Sequence, residues 1–276
     1  MRGLPALNPD PKPIGSIVMP LSPSQAPRVD VDTTGVATLT VHGQGALNIV
    51  GTPELLAITD AVYALSARDD IKALILRGHG ERALIGGANI HEMAQLTRTS
   101  AEAFIRRLRD VCEAMRRFPA PVIARMPGWC LGGGLEVAMA CDVRVASVDA
   151  QFGMPEVKVG IPSIIHAALM PRLIGQARAR WLLLTGEHID AATALAWGLV
   201  DRVVPVEQLD IETARIAAGF AAMGGAVLRQ QKRLLREWED QGLDVSINNS
   251  VAEFGAAFDT GEPQTYMGAF LTRKKS

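Results

Sequence analysis

The stretch from Pro119 to Ser147, PAPVIARMPGWCLGGGLEVAMACDVRVAS, decides how this chain is built. Its residues 121–124, PVIA, form a short apolar run bounded by turn-forming residues, and this predicts a buried strand. Gly132, Gly133 and Gly134 follow, and the apolar spacing from there to Cys141 predicts a helix opened by glycines. Val143 to Ala146, VRVA, reads as a further strand. Strands that recur along the chain at intervals of roughly fifty to seventy residues, with helices between, point to an α/β architecture.

Working outward, IKALIL at residues 71–76 reads as another buried strand, broken by Gly78 and Gly80. Val29 to Val41 carries the β-formers VATLTV and predicts a strand or hairpin. Helical spacing runs from Pro53 to Ala67. A second helix is expected behind a capping box formed by Thr99 and Glu102, burying Phe104, Leu108, Val111 and Met115 and ending before Pro119. After Pro205 the pattern turns helical, with candidates at Glu207–Met223 and Val227–Gln241 and a third within Phe254–Phe270. Seven prolines from Pro5 to Pro27 leave the first stretch unable to form helix or central strand. The expected organisation is a proline-rich arm at 1–27, an α/β core at 28–205 and a helical region at 206–276.

The chain has 276 residues, 48% of them hydrophobic, which is ample for a large core. Its 28 basic and 29 acidic residues give a net charge of −1, so no general attraction to nucleic acid or to an anionic membrane is expected. Cys112, Cys130 and Cys141 are too few and wrongly spaced for a disulfide framework or a zinc site. No apolar run is long enough to span a bilayer, and the sequence after Arg2 is broken by prolines where a signal peptide would be apolar. A cytoplasmic protein without metal or separate cofactor is the expectation.

Three segments carry residues suited to chemistry. In Gly86-Gly87-Ala88-Asn89-Ile90, small residues let a ligand approach the backbone, and Asn89 is suited to cap a helix starting at Ile90. In Gly132-Gly133-Gly134-Leu135-Glu136, glycines again bare the amides of a helix start. The run lacks the features of a P-loop or a dinucleotide fingerprint. Glu136 falls in the first helical turn, where the helix dipole by itself favours a carboxylate. In Phe152-Gly153-Met154-Pro155-Glu156, the glutamate has apolar neighbours, a setting that raises a carboxyl pKa and suits general acid–base work. A surface glutamate is the plainer reading of the same loop.

The order and spacing of these segments resemble the crotonase superfamily of enoyl-CoA hydratases and isomerases. ALILRGHGERALIGGANIHEM resembles its first oxyanion-hole segment, the Pro119–Ser147 stretch its second, and AQFGMPEVKVGIP its second-glutamate loop. PRLIG, LLLTGE and AWGLVDRVVP match its later framework, so the likeness covers roughly residues 30 to 275. The resemblance implies a spiral of ββα units followed by a C-terminal helical oligomerisation region, assembling as homotrimers or paired trimers. It implies that the N–H groups of Ala88 and Gly133 hold a thioester oxygen, and that Glu136 and Glu156 form an acid/base pair. It implies contacts from Ala46, Asn48, Ala88, Asn89, Ile90, His91 and Gly133 to an acyl-CoA, with coenzyme A present only as part of the substrate. A C-terminal tail, here FLTRKK at 270–275, can reach the coenzyme A of a neighbouring subunit in that family.

Two glutamates favour reversible hydration of a 2-enoyl-CoA to a 3-hydroxyacyl-CoA, as in fatty acid metabolism. Isomerisation or another thioester reaction, and a silent scaffold, are the alternatives. The sequence departs from the family pattern at two places. Asn89 stands where Asp is usual, and Pro162-Ser163-Ile164-Ile165-His166-Ala167 stands where hydratases run Pro-Gly-x-Gly-Gly-Thr. His166 in that loop is suited either to the core or to hydrogen-bonding a glutamate or a polar acyl group. Cys130 is a nucleophile candidate with no identifiable base.

Overall fold

The computed structural model describes residues 26–273. The proline-rich arm and the last residues of the basic tail lie outside this range, apart from Ala26 and Pro27. The N-terminal half runs β1 (Arg28–Val31), β2 (Val36–Val41), α1 (Thr52–Ser66), β3 (Ala73–Gly78), α2 (Ile90–Met93) and α3 (Arg98–Arg117). There follow β4 (Val122–Met126), β5 (Trp129–Leu131), α4 (Gly133–Met139), β6 (Val143–Ser147) and β7 (Gln151–Gly153). The next elements are α5 (Met170–Ile174), α6 (Gln176–Thr185), β8 (His188–Asp190), α7 (Ala191–Trp197) and β9 (Arg202–Val204). Four helices complete the chain, α8 (Leu209–Ala221), α9 (Gly225–Asp240), α10 (Leu243–Ala257) and α11 (Glu262–Arg273).

The expected hairpin is β1 antiparallel to β2, and from β2 onward the main sheet is parallel in the order β2-β3-β4-β6-β9. A second sheet pairs β5 with β7 in parallel and β7 with β8 antiparallel. The chain passes from β4 to β5 and then into α4, and from β6 to β7, so strands of the two sheets alternate along the sequence. This is the expected spiral of ββα units.

Strand periodicity explains why both faces of the main sheet are covered. In β3, Leu74 and Leu76 enter the main core with α1 and α3, while Ala73 and Ile75 face a second cluster with Leu209, Ala217 and Ala221 of α8. Alternation also puts Arg125 of β4 beneath α8, where its guanidinium pairs with Glu81 and with Asp210 in the first turn of α8. The change to helical pattern near residue 205 is real, but its first long helix lies on the sheet.

Three local expectations are corrected. The cap of α3 is Thr97, whose hydroxyl accepts from Ser100 N–H while the Ser100 hydroxyl oxygen accepts from Thr97 N–H. Thr99 and Glu102 are inside the helix, and Glu102 pairs with Arg106. The single helix expected within Phe254–Phe270 is instead two, α10 and α11, divided by Gly261 at φ 74°. The helix expected from Glu207 opens as a short 3-10 turn, Val206–Gln208, before α8. Among the described residues no single helix is long and apolar enough to cross a membrane.

Candidate active site

The two glycine-bearing segments meet back to back. Leu131 N–H reaches the Ile85 carbonyl at 3.4 Å, and a β-carbon on Gly134 would run into that same Ile85 backbone. The first segment is pinned by Val50, which donates to Gly87 O at 3.0 Å and accepts from Asn89 N–H at 2.8 Å. This bridge leaves the N–H of Ala88, between them, turned to the other side, with no hydrogen bond among the described residues. Gly133 is the first residue of α4, so its N–H has no carbonyl one turn back to donate to. Two unpaired amides thus lie on neighbouring segments.

Each glycine of the run is required for a different reason. Gly132 has φ 52°, a left-handed conformation that side chains resist, and a β-carbon there would collide with Oε1 of Glu156. Gly133 has ordinary backbone, but a β-carbon would come within 2.6 Å of Leu108 Cδ2 from α3. At Gly134 the obstacle is the Ile85 carbonyl. The positive φ thus belongs to Gly132, while Gly133 is shielded by packing.

Glu136 is 3% exposed in the first turn of α4. Its Oε1 accepts from Ala167 N–H at 3.0 Å, and the described residues offer Oε2 no hydrogen bond. Burial raises its carboxyl to about 8, and the nearby charge of Glu156 pushes the same way, against the Ala167 hydrogen bond. Glu156 sits half-buried on the short 3-10 turn Pro155–Val159 that follows β7. Burial raises its carboxyl too, against hydrogen bonds from its own backbone and from Ser163, whose hydroxyl donates to Oε2 at 2.9 Å. The spacing of twenty residues between the glutamates spans β6 and β7, and the fold returns the chain to bring the Glu156 carboxyl to the Gly132 turn, at the start of the helix that carries Glu136.

The remaining candidates sort by position. Asn89 caps α2 as expected, accepting from Glu92 N–H, and its amide donates to Gln44. Ile90, His91 and Ala46 are exposed near it. Asn48 is buried, and its side-chain amide is committed to His79 O, Ala83 O and Gly43 N–H, so its side chain shapes the loop. His166 is buried and its Nε2 meets Glu113 Oε1 at 3.0 Å, a glutamate of α3 and not one of the pair. Burial lowers its pKa, against the hydrogen bond and charge of Glu113. Cys130 is fully buried, and burial holds its thiol far above the ordinary range, which removes it as a nucleophile. Ala167 at Glu136 and Leu108 at Gly133 are contacts that local sequence could not place, since each arrives from a distant segment. Among the described residues there is no group of three or more His, Cys, Asp or Glu side chains that would hold a metal ion.

The family model described as enoyl-CoA hydratase/isomerase matches residues 32–276. The chain belongs to the enoyl-CoA hydratase/isomerase family. It is 34% identical over 242 residues to a crotonyl-CoA hydratase of Syntrophomonas wolfei, covering 87% of this chain and 93% of that one. It is 31% identical to a short-chain-enoyl-CoA hydratase of Clostridium acetobutylicum, covering 87% and 92%. The solved structure of an enoyl-CoA hydratase from Bacillus anthracis superposes with a TM-score of 0.86 at 28% identity, covering 90% of this chain and 97% of that one. Its fold is the one that solved members of this family share.

Proposed function

We propose that the protein reversibly hydrates a 2-enoyl-CoA to a 3-hydroxyacyl-CoA. The observation that carries this reading is the pair of glutamates, Glu136 buried and Glu156 half-buried, set beside two segments with unpaired N–H groups. The thioester oxygen binds between the amides of Ala88 and Gly133. As water adds to C3, the C2–C3 double bond opens and negative charge moves onto that oxygen. Two fixed donors in a desolvated site stabilise the enolate, each typically contributing about 3 kcal/mol. One glutamate takes a proton from the water and the other delivers a proton to C2. The pair must therefore enter with one proton between them, and burial together with mutual repulsion favours that state. An isomerase needs only one carboxyl to move a proton between carbons, so the second glutamate favours hydration.

Coenzyme A lies along the loop Ala88–His91 and the chain around Ala46, whose exposed residues suit a ligand that runs out to solvent. The protein works as a homotrimer or pair of trimers built through its C-terminal helices. Support for this comes from the apolar side chains that α10 leaves uncovered: Leu243, Ile247, Val251 and Phe254 are each more than half exposed, with Val251 at 76%. Incubation with a series of conjugated 2-enoyl-CoA thioesters, followed by mass analysis for the gain of one water, tests the reading; no gain with any chain length contradicts it.

A further inference from the structure

The first glycine-bearing segment runs into α2, a helix of 4 residues with no fully buried side chain. Packing does little to fix so short an element, since Met93 and Leu96 are only partly buried against the core. A single helical turn does not hold itself together in water. Its place is set by hydrogen bonds. Asn89 Oδ1 accepts from Glu92 N–H at 3.1 Å, and Met93 N–H donates to Asn89 O at 2.9 Å. Residues 89–93 therefore form one closed turn, with Ala88 immediately before it.

Glu92 ties that turn to α1. Its Oε2 accepts from Thr52 N–H at 2.9 Å, and its Oε1 accepts from the Thr52 hydroxyl. Thr52 is the first residue of α1, so its N–H is one of those that a helix start leaves without a carbonyl. Beside it, Glu54 Oε2 accepts from Gly51 N–H at 2.8 Å. The positive end of the 15-residue helix favours both carboxylates. Gly51 makes room for them. Its φ of −111° is open to any residue, yet a β-carbon there would come within 2.5 Å of Glu92 Oε2. The carboxylate, and not the backbone, accounts for this glycine.

The same joint holds Ala88. Val50 donates to Gly87 O and accepts from Asn89 N–H, which leaves the Ala88 N–H facing away from it. Backbone pairing at Val50 fixes the chain on either side of Ala88, and Glu92 fixes the turn that follows. Both anchors lie within residues 50–52, so the amide of Ala88 has one direction relative to α1.

We infer that Glu92 is a positioning residue: by docking its carboxylate on Thr52 at the start of α1, it aims the Ala88 N–H at the thioester oxygen. The inference rests on the thioester binding proposed above. Glu92 acts through the backbone, so its two hydrogen bonds are required and its charge is not.

The test compares Glu92→Ala and Glu92→Gln in the full-length protein, with rates taken per folded molecule. Glutamine keeps an acceptor for Thr52 N–H and offers an N–H to the hydroxyl oxygen, so it should recover most of what alanine loses. On a 2-enoyl-CoA, Glu92→Ala should lower kcat roughly ten- to hundredfold with KM changed less than about threefold, because the misplaced donor acts in the transition state. The second readout is the infrared carbonyl stretch of a bound saturated acyl-CoA labelled with carbon-13 at the thioester carbon, which cannot be hydrated. In the wild type the stretch should lie below that of the free thioester, since hydrogen bonding weakens the C=O bond. In Glu92→Ala it should return part of the way, and in Glu92→Gln it should stay at the wild-type position. A stretch or a kcat that is unchanged in Glu92→Ala would overturn the inference, as would a loss in Glu92→Gln as large as that in Glu92→Ala. If the wild type lowers the stretch but hydrates no enoyl-CoA, the hydration reading fails, and return of the stretch in Glu92→Ala upholds the role of Glu92. If the wild type hydrates and Glu92→Ala leaves the stretch in place, the inference fails and the reaction stands.

Discussion

The carboxylate of Glu156 rests on the α-carbon of Gly132: a β-carbon added to that glycine would collide with Oε1. Glycine is doubly required there, since its φ of 52° already excludes most side chains. Gly132→Ala should therefore act on the glutamate as well as on the backbone. We expect a loss of stability of about 1–3 kcal/mol from the positive-φ backbone. We also expect a fall in kcat, measured per folded molecule, of roughly a hundredfold from displacement of Glu156. Unchanged turnover per folded molecule would show that the carboxyl does not depend on this contact.

Gly133 separates an oxyanion donor from a packing glycine. Its backbone tolerates a side chain, and the obstacle is Leu108, 2.6 Å from the added β-carbon. Gly133→Val should abolish turnover in a protein that folds and assembles, because the amide tilts or the carbonyl is crowded. Gly133→Ala combined with Leu108→Ala gives the new methyl room, and should recover stability relative to Gly133→Ala alone. Melting curves and turnover per folded molecule across these variants check it. Normal turnover in Gly133→Val removes this amide from the mechanism.

Glu136 should cost the fold stability at alkaline pH. Its carboxyl is raised from 4.5 to about 8. Between those values the folded state binds more protons than the unfolded state, so stability falls as pH rises through that window. Glu136→Gln carries no such proton. Its melting temperature should exceed that of the wild type by several degrees near about pH 9 and converge with it toward about pH 5. A difference independent of pH would mean that the carboxyl is not raised.

Lys232 joins α9 to the core. It is 6% exposed, pairs with Asp142 at 2.7 Å and donates to the carbonyls of Met115 and Ala120. Lys232→Met keeps the volume but leaves these partners short of a donor. A loss of about 3 kcal/mol is expected in denaturant unfolding, with turnover of the folded protein little changed. A loss below about 0.5 kcal/mol would mean that Asp142 and the carbonyls are satisfied by water.

The main sheet was legible because β3 and β4 carry the apolar runs ALIL and VIA, while β2 carries the strand formers Val and Thr and β6 carries Val143 and Val145. β5, β7, β8 and β9 are three residues each, too short for any period, and exist only because a neighbouring strand pairs with them. The cap of α3 was misplaced because Thr97 and Thr99 are equally good cap residues, and the choice falls to Ser100, whose short side chain completes the box with Thr97. At the site, the glutamates and glycines were readable from local spacing and resemblance. Their partners were not: Ala167 reaches Glu136 across 31 positions, and the Leu108 contact on Gly133 crosses from α3 to α4. Sequence marked the loop at 163–167 as a departure, and only its folded geometry shows that the departure adds a donor to Glu156.

The measurement that bears most directly on the central claim is the hydration rate of a conjugated 2-enoyl-CoA, followed by loss of its absorbance, in wild type, Glu136→Gln, Glu156→Gln and the double variant. Positioned general acids and bases typically contribute about 10²–10⁴-fold, and each single variant should lose that much with melting behaviour showing an intact fold. Because the two carboxyls act as a unit, the double variant should be little worse than either single one. Turnover close to wild type in either single variant would contradict the two-glutamate account.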